Sequence, residues 1–238
     1  MNILIPIGLG LIPGIFWLWL FYYKCRVAPA PKSVLVRLFV WGILLAIPVV
    51  LLQMPFFYLL KSHLFLFTVV APLTEEYGKY FIVRRSLYRR ADFTEPMQGM
   101  MYAVTVSLGF ASIENIFYLL ATYLERHDFT GLVGQLNRYE ILLFVFAVRA
   151  LLSVPAHALW AGLWGYPLGV AKFSAQEVGK KWVRNGLIVA IIGHGLFNWM
   201  LVFAPGAAVV LLLLIGWGWR RISRRMQGAI ARRTEGDR

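Results

Sequence analysis

Apolar residues run along this chain in stretches too long for an ordinary core helix, and the polar interruptions fall between them. Seven hydrophobic spans can be read, at about 2–23, 34–60, 64–83, 97–122, 140–171, 185–204 and 206–219. The last is short and follows the turn residues Pro205 and Gly206. A helix crosses a bilayer with roughly 20 apolar residues. In lipid the backbone must satisfy its own hydrogen bonds, so each span is expected as a helix. The pattern predicts an all-α polytopic membrane protein of about seven transmembrane helices. Residues 1–219 form a single transmembrane helical domain, with a motif core at about 70–200, and residues 220–238 form a basic cytoplasmic tail. No soluble domain, linker, low-complexity tract or convincing internal repeat is apparent.

Charge orients these spans. With the N-terminus outside, 19 of the 24 Lys and Arg residues fall in cytoplasmic segments. Only Lys61, Arg126 and Arg138 fall outside, and Lys79 and Arg149 lie within spans. The positive-inside rule therefore predicts an external N-terminus and a cytoplasmic C-terminus. The first span could be mistaken for a signal peptide, because Ala28-Pro29-Ala30 resembles a cleavage site. Nothing basic precedes it, however, and Lys24 and Arg26 follow it, as expected for an uncleaved helix.

Composition agrees. Sixty per cent of residues are apolar or aromatic, against about 45–50% in soluble domains. Nine Trp and eleven Tyr suit interfacial belts. The single cysteine, Cys25, excludes an intramolecular disulfide framework. The net charge of +13 follows from the cytoplasmic loops and requires no nucleic acid. The tail 220-RRISRRMQGAIARR-233 is expected to stop translocation and to touch anionic lipid. The location implied is a prokaryotic inner membrane.

The informative residues are the ionisable ones left inside the spans. The third span holds Glu75, Glu76 and Lys79; the fourth, Glu114 beside Asn115; the fifth, Arg149 and His157; the sixth, His194 and Asn198. A charge at the bilayer centre costs at least ~2.5–3.5 kcal/mol on insertion scales, so such groups are expected to face one another in a shared interior site. Glu75 and Lys79 are four apart and share a helix face, as do His194 and Asn198. Glu76 is rotated about 100° from Glu75, so one carboxylate can face a reaction centre while the other meets a cation. Gly193 and Gly195 flank His194 and admit a close neighbour. Glu75 and His194 lie about 13 Å from the cytoplasmic boundary, and Pro155 is expected to distort the helix that carries His157.

Carboxylates and imidazoles in a dry interior suit hydrolysis of an amide. A carboxylate can take a proton from water. Imidazole and carboxylate together ligate zinc, commonly three per catalytic site with the fourth position left to water. An asparagine nearby can donate to an oxyanion. Each residue alone has a plainer role. Glu75–Lys79 could be a structural ion pair, Arg149 a neutraliser of Glu76 or Glu114, His157 a satisfied core histidine, and Asn115 an interhelical hydrogen-bonding group. Ser107, Ser112 and Ser153 read as packing residues, and His63 and His127 as loop residues. A proton-coupled transporter or channel using the same relay, or a non-catalytic membrane receptor or scaffold, stays open. Asp92, Asp128 and Asp237 all fall outside the spans, which removes an aspartyl mechanism. There is no H-E-x-x-H helix and no G-x-S-x-G elbow.

The segments 75-EEYGK-79, 110-FASIEN-115, 149-RALLSVPAHALWAGLWG-165 and 194-HGLFN-198 resemble, in order, the motifs of the PrsW family of intramembrane proteases. The resemblance spans about residues 70–200. The wider superfamily is similar to the CAAX-prenyl endopeptidases and bacteriocin-processing enzymes, in which a histidine stands where Glu114 stands here. The resemblance implies an intramembrane endopeptidase acting on a membrane-spanning or membrane-anchored protein, such as an anti-sigma-factor-like regulator. It implies Glu75 as the water-activating base and Glu76 as its assistant. Glu114, His157 and His194 would position the water, directly or as ligands of Zn2+. Asn198 would hold the oxyanion, with Lys79 and Arg149 balancing charge and Asn115 supporting them. Glutamic and metallo mechanisms both remain open on these residues.

Overall fold

A computed structural model describes residues 3–24, 30–124, 129–131, 134–173 and 176–204, with scattered positions between 207 and 221. Helix α1 is Leu4–Lys24 and α2 is Lys32–Leu60. A third continuous helix runs from His63 to Leu87 as α3 (His63–Phe65), a π-helical turn π1 (Leu66–Val70) and α4 (Ala71–Leu87). Helix α5 is Pro96–Leu124. A second composite helix follows, as α6 (Arg138–Val148), π2 (Arg149–Ser153) and α7 (Val154–Lys172), and α8 is Gln176–Phe203.

Five helices are long and apolar enough to cross a membrane, at Leu4–Tyr23, Lys32–Leu60, Pro96–Leu124, Arg138–Lys172 and Val178–Phe203. The helix over 63–87 is also long enough, but Glu75, Glu76 and Lys79 make it more polar than the others. The expected seventh span, the basic tail and Cys25 lie almost wholly outside the described residues. The expectation of seven thus becomes five strongly apolar helices and one charged helix among the described residues. Helix α8 starts at Gln176 rather than near 185, because helical hydrogen bonding continues into a basic stretch that hydropathy cannot register. Between α5 and α6 the strands Phe129–Gly131 (β1) and Gly134–Leu136 (β2) pair antiparallel, a minor departure from an all-α chain.

Helix α5 is the axis of the bundle. It packs against α1, α2 and α7, and its buried residues run almost unbroken from Met97 to Ser112. Small residues allow this closeness, since helices in lipid associate by packing rather than by hydrophobic burial. A Cβ on Gly109 would strike the Phe39 carbonyl, and one on Gly42 would strike the Val106 carbonyl, so α2 and α5 cross backbone to backbone. Outward faces carry large apolar side chains such as Phe16, Trp19, Leu51, Leu59, Phe81 and Phe144, the surface a bilayer solvates. The asparagine that opens α6 forms a capping box: Asn137 accepts from Tyr139 and Glu140, and Glu140 accepts from the Asn137 amide.

Candidate functional site

Four helices converge on one buried ionic cluster. From α4, Glu76 and Lys79 are fully buried and Glu75 nearly so. Lys79 Nζ donates to Glu76 Oε1 at 2.8 Å and more weakly to Glu75 Oε2 at 3.4 Å. It also lies 3.1 Å from His157 Nδ1 on α7 and 4.5 Å from the centre of the Phe110 ring on α5. An ammonium has only protons to give, so His157 Nδ1 is the acceptor and Nε2 carries the imidazole hydrogen. That Nε2–H donates to Glu114 Oε2 at 2.9 Å.

Glu114 is clamped from its other side. Arg149 NH2 donates to the same Oε2 at 2.9 Å, and Arg149 Nε donates to Asn115 Oδ1 at 2.6 Å. The guanidinium stacks 3.9 Å from the Tyr118 ring centre. Of the two carboxylates offered for Arg149, it therefore neutralises Glu114. The Glu114 side chain is 22% exposed, the most accessible of the three carboxylates.

His194, on α8, has a carboxylate of its own. Its Nδ1 lies 3.1 Å from Glu76 Oε1, and a carboxylate only accepts, so Nδ1 carries the hydrogen and Nε2 keeps its lone pair. The two imidazoles meet edge to face, with ring centres 5.0 Å apart. Glycine makes this approach feasible. A Cβ on Gly195 would strike the Thr68 carbonyl of π1, and one on Gly193 would come within 2.6 Å of the Trp160 ring.

The structure thus draws together Glu75, Glu76, Lys79, Glu114, His157 and His194, with Arg149 and Asn115 behind Glu114. Asn198 points elsewhere: its Nδ2 donates to the Phe67 carbonyl in π1 at 2.9 Å. Ser107 hydroxyl donates to the His157 carbonyl at 2.8 Å and ties α5 to α7. His63 sits at the start of α3 against Phe57, away from the cluster, and His127 lies outside the described residues.

Three aromatic participants were not read from the sequence. Trp164 Nε1 donates to Glu76 Oε2 at 3.1 Å, and Phe110 and Tyr118 face the two buried cations. Spacing could have found two of them. Trp164 stands seven residues after His157 and Tyr118 four after Glu114, so each shares the face of a suspected site residue.

A family model for the "PrsW family intramembrane metalloprotease" matches residues 30–219. The chain belongs to the PrsW family. It is 31% identical over 229 residues to the protease PrsW of Geobacillus kaustophilus, covering 93% of this chain and 91% of that one. It is 34% identical over 201 residues to the protease PrsW of Bacillus subtilis, covering 82% of each. The protease PrsW of Clostridioides difficile is 30% identical over 215 residues, covering 87% of this chain and 83% of that one. No solved structure matches the chain. Family and helices together make this a multi-pass intramembrane protease.

A PrsW metalloprotease implies a metal, and the residues fit one. Glu75, His157 and His194 each offer a ligand atom, and these atoms lie within 4.8 Å of one another. The group holds Glu75 where the sequence suggested Glu114, whose Oε2 accepts from both His157 Nε2 and Arg149. Each histidine donates its other ring N–H to a carboxylate, the arrangement that fixes the tautomer of metal-ligating imidazoles. The charges also fit: three carboxylates face two permanent cations, an excess that a divalent ion would offset.

Proposed function

We propose that this PrsW protein hydrolyses a peptide bond of a membrane-spanning or membrane-anchored protein within the bilayer, with Glu75 activating the water. One observation carries the choice of base. Glu76 is held on both oxygens, by Lys79 and His194 on one and Trp164 on the other, whereas among the described residues Glu75 has only the 3.4 Å contact with Lys79. A carboxylate so held orients its neighbours; the freer one, where it does not ligate a metal, can accept a proton from water and return it to the leaving amine.

Glu76 accepts from His194 Nδ1 and Glu114 from His157 Nε2, so in each neutral ring the other nitrogen, His194 Nε2 or His157 Nδ1, is the one with a lone pair to offer. A bound Zn2+ held by Glu75, His157 and His194 would supply Lewis acidity and lower the pKa of water. His157 Nδ1 serves either such an ion or the Lys79 ammonium, since one lone pair makes one such bond. Lys79 and Arg149 otherwise limit the negative charge gathered in the dry interior, and Asn115 steadies Arg149. Asn198, four residues after His194, donates to the Phe67 carbonyl.

The substrate class is a protein whose membrane segment reaches this depth, an anti-sigma-factor-like regulator being the type the motifs suggest. The basic segments support an external N-terminus and a cytoplasmic tail against anionic lipid. The test is reconstitution of the pure chain in proteoliposomes with single-span reporter proteins. Cleavage by wild type and none by Glu75→Gln supports the reading. A folded wild type that cleaves no reporter yet carries protons across the vesicle wall overturns it.

A further inference from the structure

Both composite helices break in the same way, just before their site residues. In π1 the Ala71 N–H bonds back to the Leu66 carbonyl, five residues earlier. In π2 the Val154 N–H bonds back to Arg149 in the same register. Continuing that register, the Phe67 carbonyl would receive the amide of residue 72, and the Ala150 carbonyl that of residue 155. Both positions are proline, which has no N–H to give. Each break thus leaves one carbonyl without its helical N–H partner, and within a membrane-spanning segment such a group is satisfied from elsewhere in the protein.

Each orphan is taken by a side chain from a distant helix. Asn198 Nδ2 of α8 donates to Phe67 O at 2.9 Å, across 131 positions of sequence. Trp17 Nε1 of α1 donates to Ala150 O at 3.0 Å, across 133 positions. The two bonds are made by unrelated side chains from opposite ends of the chain, yet they solve one problem.

The register matters to the site. A π turn carries an extra residue, which rotates every side chain beyond it by about 100° relative to an unbroken α-helix. Glu75 and Glu76 follow Pro72 by three and four residues, and His157 follows Pro155 by two. The breaks therefore set which way the clustered carboxylates and His157 face.

We propose that Asn198 and Trp17 are positioning residues: each bolts a proline-broken π turn in the register that aims Glu75 and His157 at one point. Asn198 in this role acts through the backbone of π1 and does not hold an oxyanion. Trp17 gives α1, which contributes no charged group to the cluster, a part in building the site. The consequence for hydrolysis rests on the proposed function; the two bonds do not.

The experiment restores the missing backbone donors. Asn198→Leu and Trp17→Phe remove each bolt, and Pro72→Ala and Pro155→Ala return an N–H to each break. Cleavage of a single-span reporter in proteoliposomes gives kcat and KM, and amide hydrogen exchange over residues 71–80 and 154–164 reports each register directly. Each bolt variant is expected to lose about tenfold in kcat with KM little changed, the effect of one buried polar group left without its partner. Asn198→Leu with Pro72→Ala, and Trp17→Phe with Pro155→Ala, should recover most of it. The crossed pairs should not. Asn198→Gln, which keeps an amide donor, should retain more activity than Asn198→Leu.

An oxyanion role for Asn198 gives the opposite pattern, with Pro72→Ala failing to rescue, and that result overturns the proposal for π1. Should the wild type cleave no reporter, the functional reading fails, and exchange still decides. Faster exchange in each bolt variant, reversed only by its own proline replacement, upholds the bolts, and unchanged exchange removes them.

Discussion

Trp164 donates its indole N–H to Glu76 Oε2 at 3.1 Å, joining α7 to α4 across 88 positions of sequence. Both residues are fully buried. With Lys79 and His194 on Oε1, this bond leaves Glu76 no oxygen to offer a substrate. Replacing Trp164 by Phe should keep most of the packing and strand Oε2 in an apolar wall. An unsatisfied buried acceptor costs about 1–3 kcal/mol, more when charged. We expect a lower unfolding midpoint in detergent and slower cleavage, because the carboxylate that fixes His194 and Lys79 becomes free to turn. An unchanged midpoint would show that this bond contributes nothing.

The two adjacent glutamates should separate in experiment. Glu75→Gln removes a loosely held carboxylate, so reporter cleavage should fall by at least about 10²-fold while thermal stability stays near wild type. Glu76→Gln breaks a buried ion pair with Lys79, and such a change typically costs about 3–5 kcal/mol. It should therefore lose stability as well as activity. Equal stability loss in both variants would mean that Glu75 is a structural partner of Lys79 and not the base.

These roles show what the sequence could and could not disclose. The helices were legible because lipid demands long apolar runs, and the charged residues stood out against them. Their convergence was also legible, since isolated charges do not persist in hydrocarbon. Which oxygen meets which donor was not, because pairing depends on helix rotation. The π turns at Leu66–Val70 and Arg149–Ser153 change that rotation by a residue each, and only Pro155 hinted at one of them. Asn198 shows the result: the four-residue spacing placed it beside His194, yet its amide reaches the backbone of π1 instead. Similarly, hydropathy marked where lipid should begin on α8 but not that the helix extends back to Gln176.

Metal content gives a direct test of the donor group. Protein purified in detergent without chelators should carry about one zinc per chain, as three protein ligands and one open position suit a catalytic zinc. Elemental analysis of His194→Ala, His157→Ala and Glu75→Gln should show that metal reduced or lost in each. Glu114→Gln removes the acceptor for His157 Nε2–H but no ligand, and changes of that kind weaken metal binding by about 10–100-fold. It should therefore bind zinc more weakly rather than not at all. Wild type free of stoichiometric metal, yet active, would favour general-base chemistry by Glu75 alone.

Gly195 and Gly193 flank His194 symmetrically in sequence but not in space. A Cβ on Gly195 would strike the Thr68 carbonyl, which is backbone and cannot swing aside. A Cβ on Gly193 would meet the Trp160 ring at 2.6 Å, and a side chain can tilt away. Gly195→Ala must therefore push α8 off π1, stretching the Asn198–Phe67 bond and withdrawing His194 from Glu76. Overpacking of this sort costs about 1–3 kcal/mol, and here the displaced helix carries a site residue. Gly195→Ala should lose both thermal stability and most cleavage, while Gly193→Ala loses less of each. The comparison is made by unfolding in detergent and by reporter cleavage in proteoliposomes. If the two variants behave alike, the close approach of α8 to π1 does not set the position of His194.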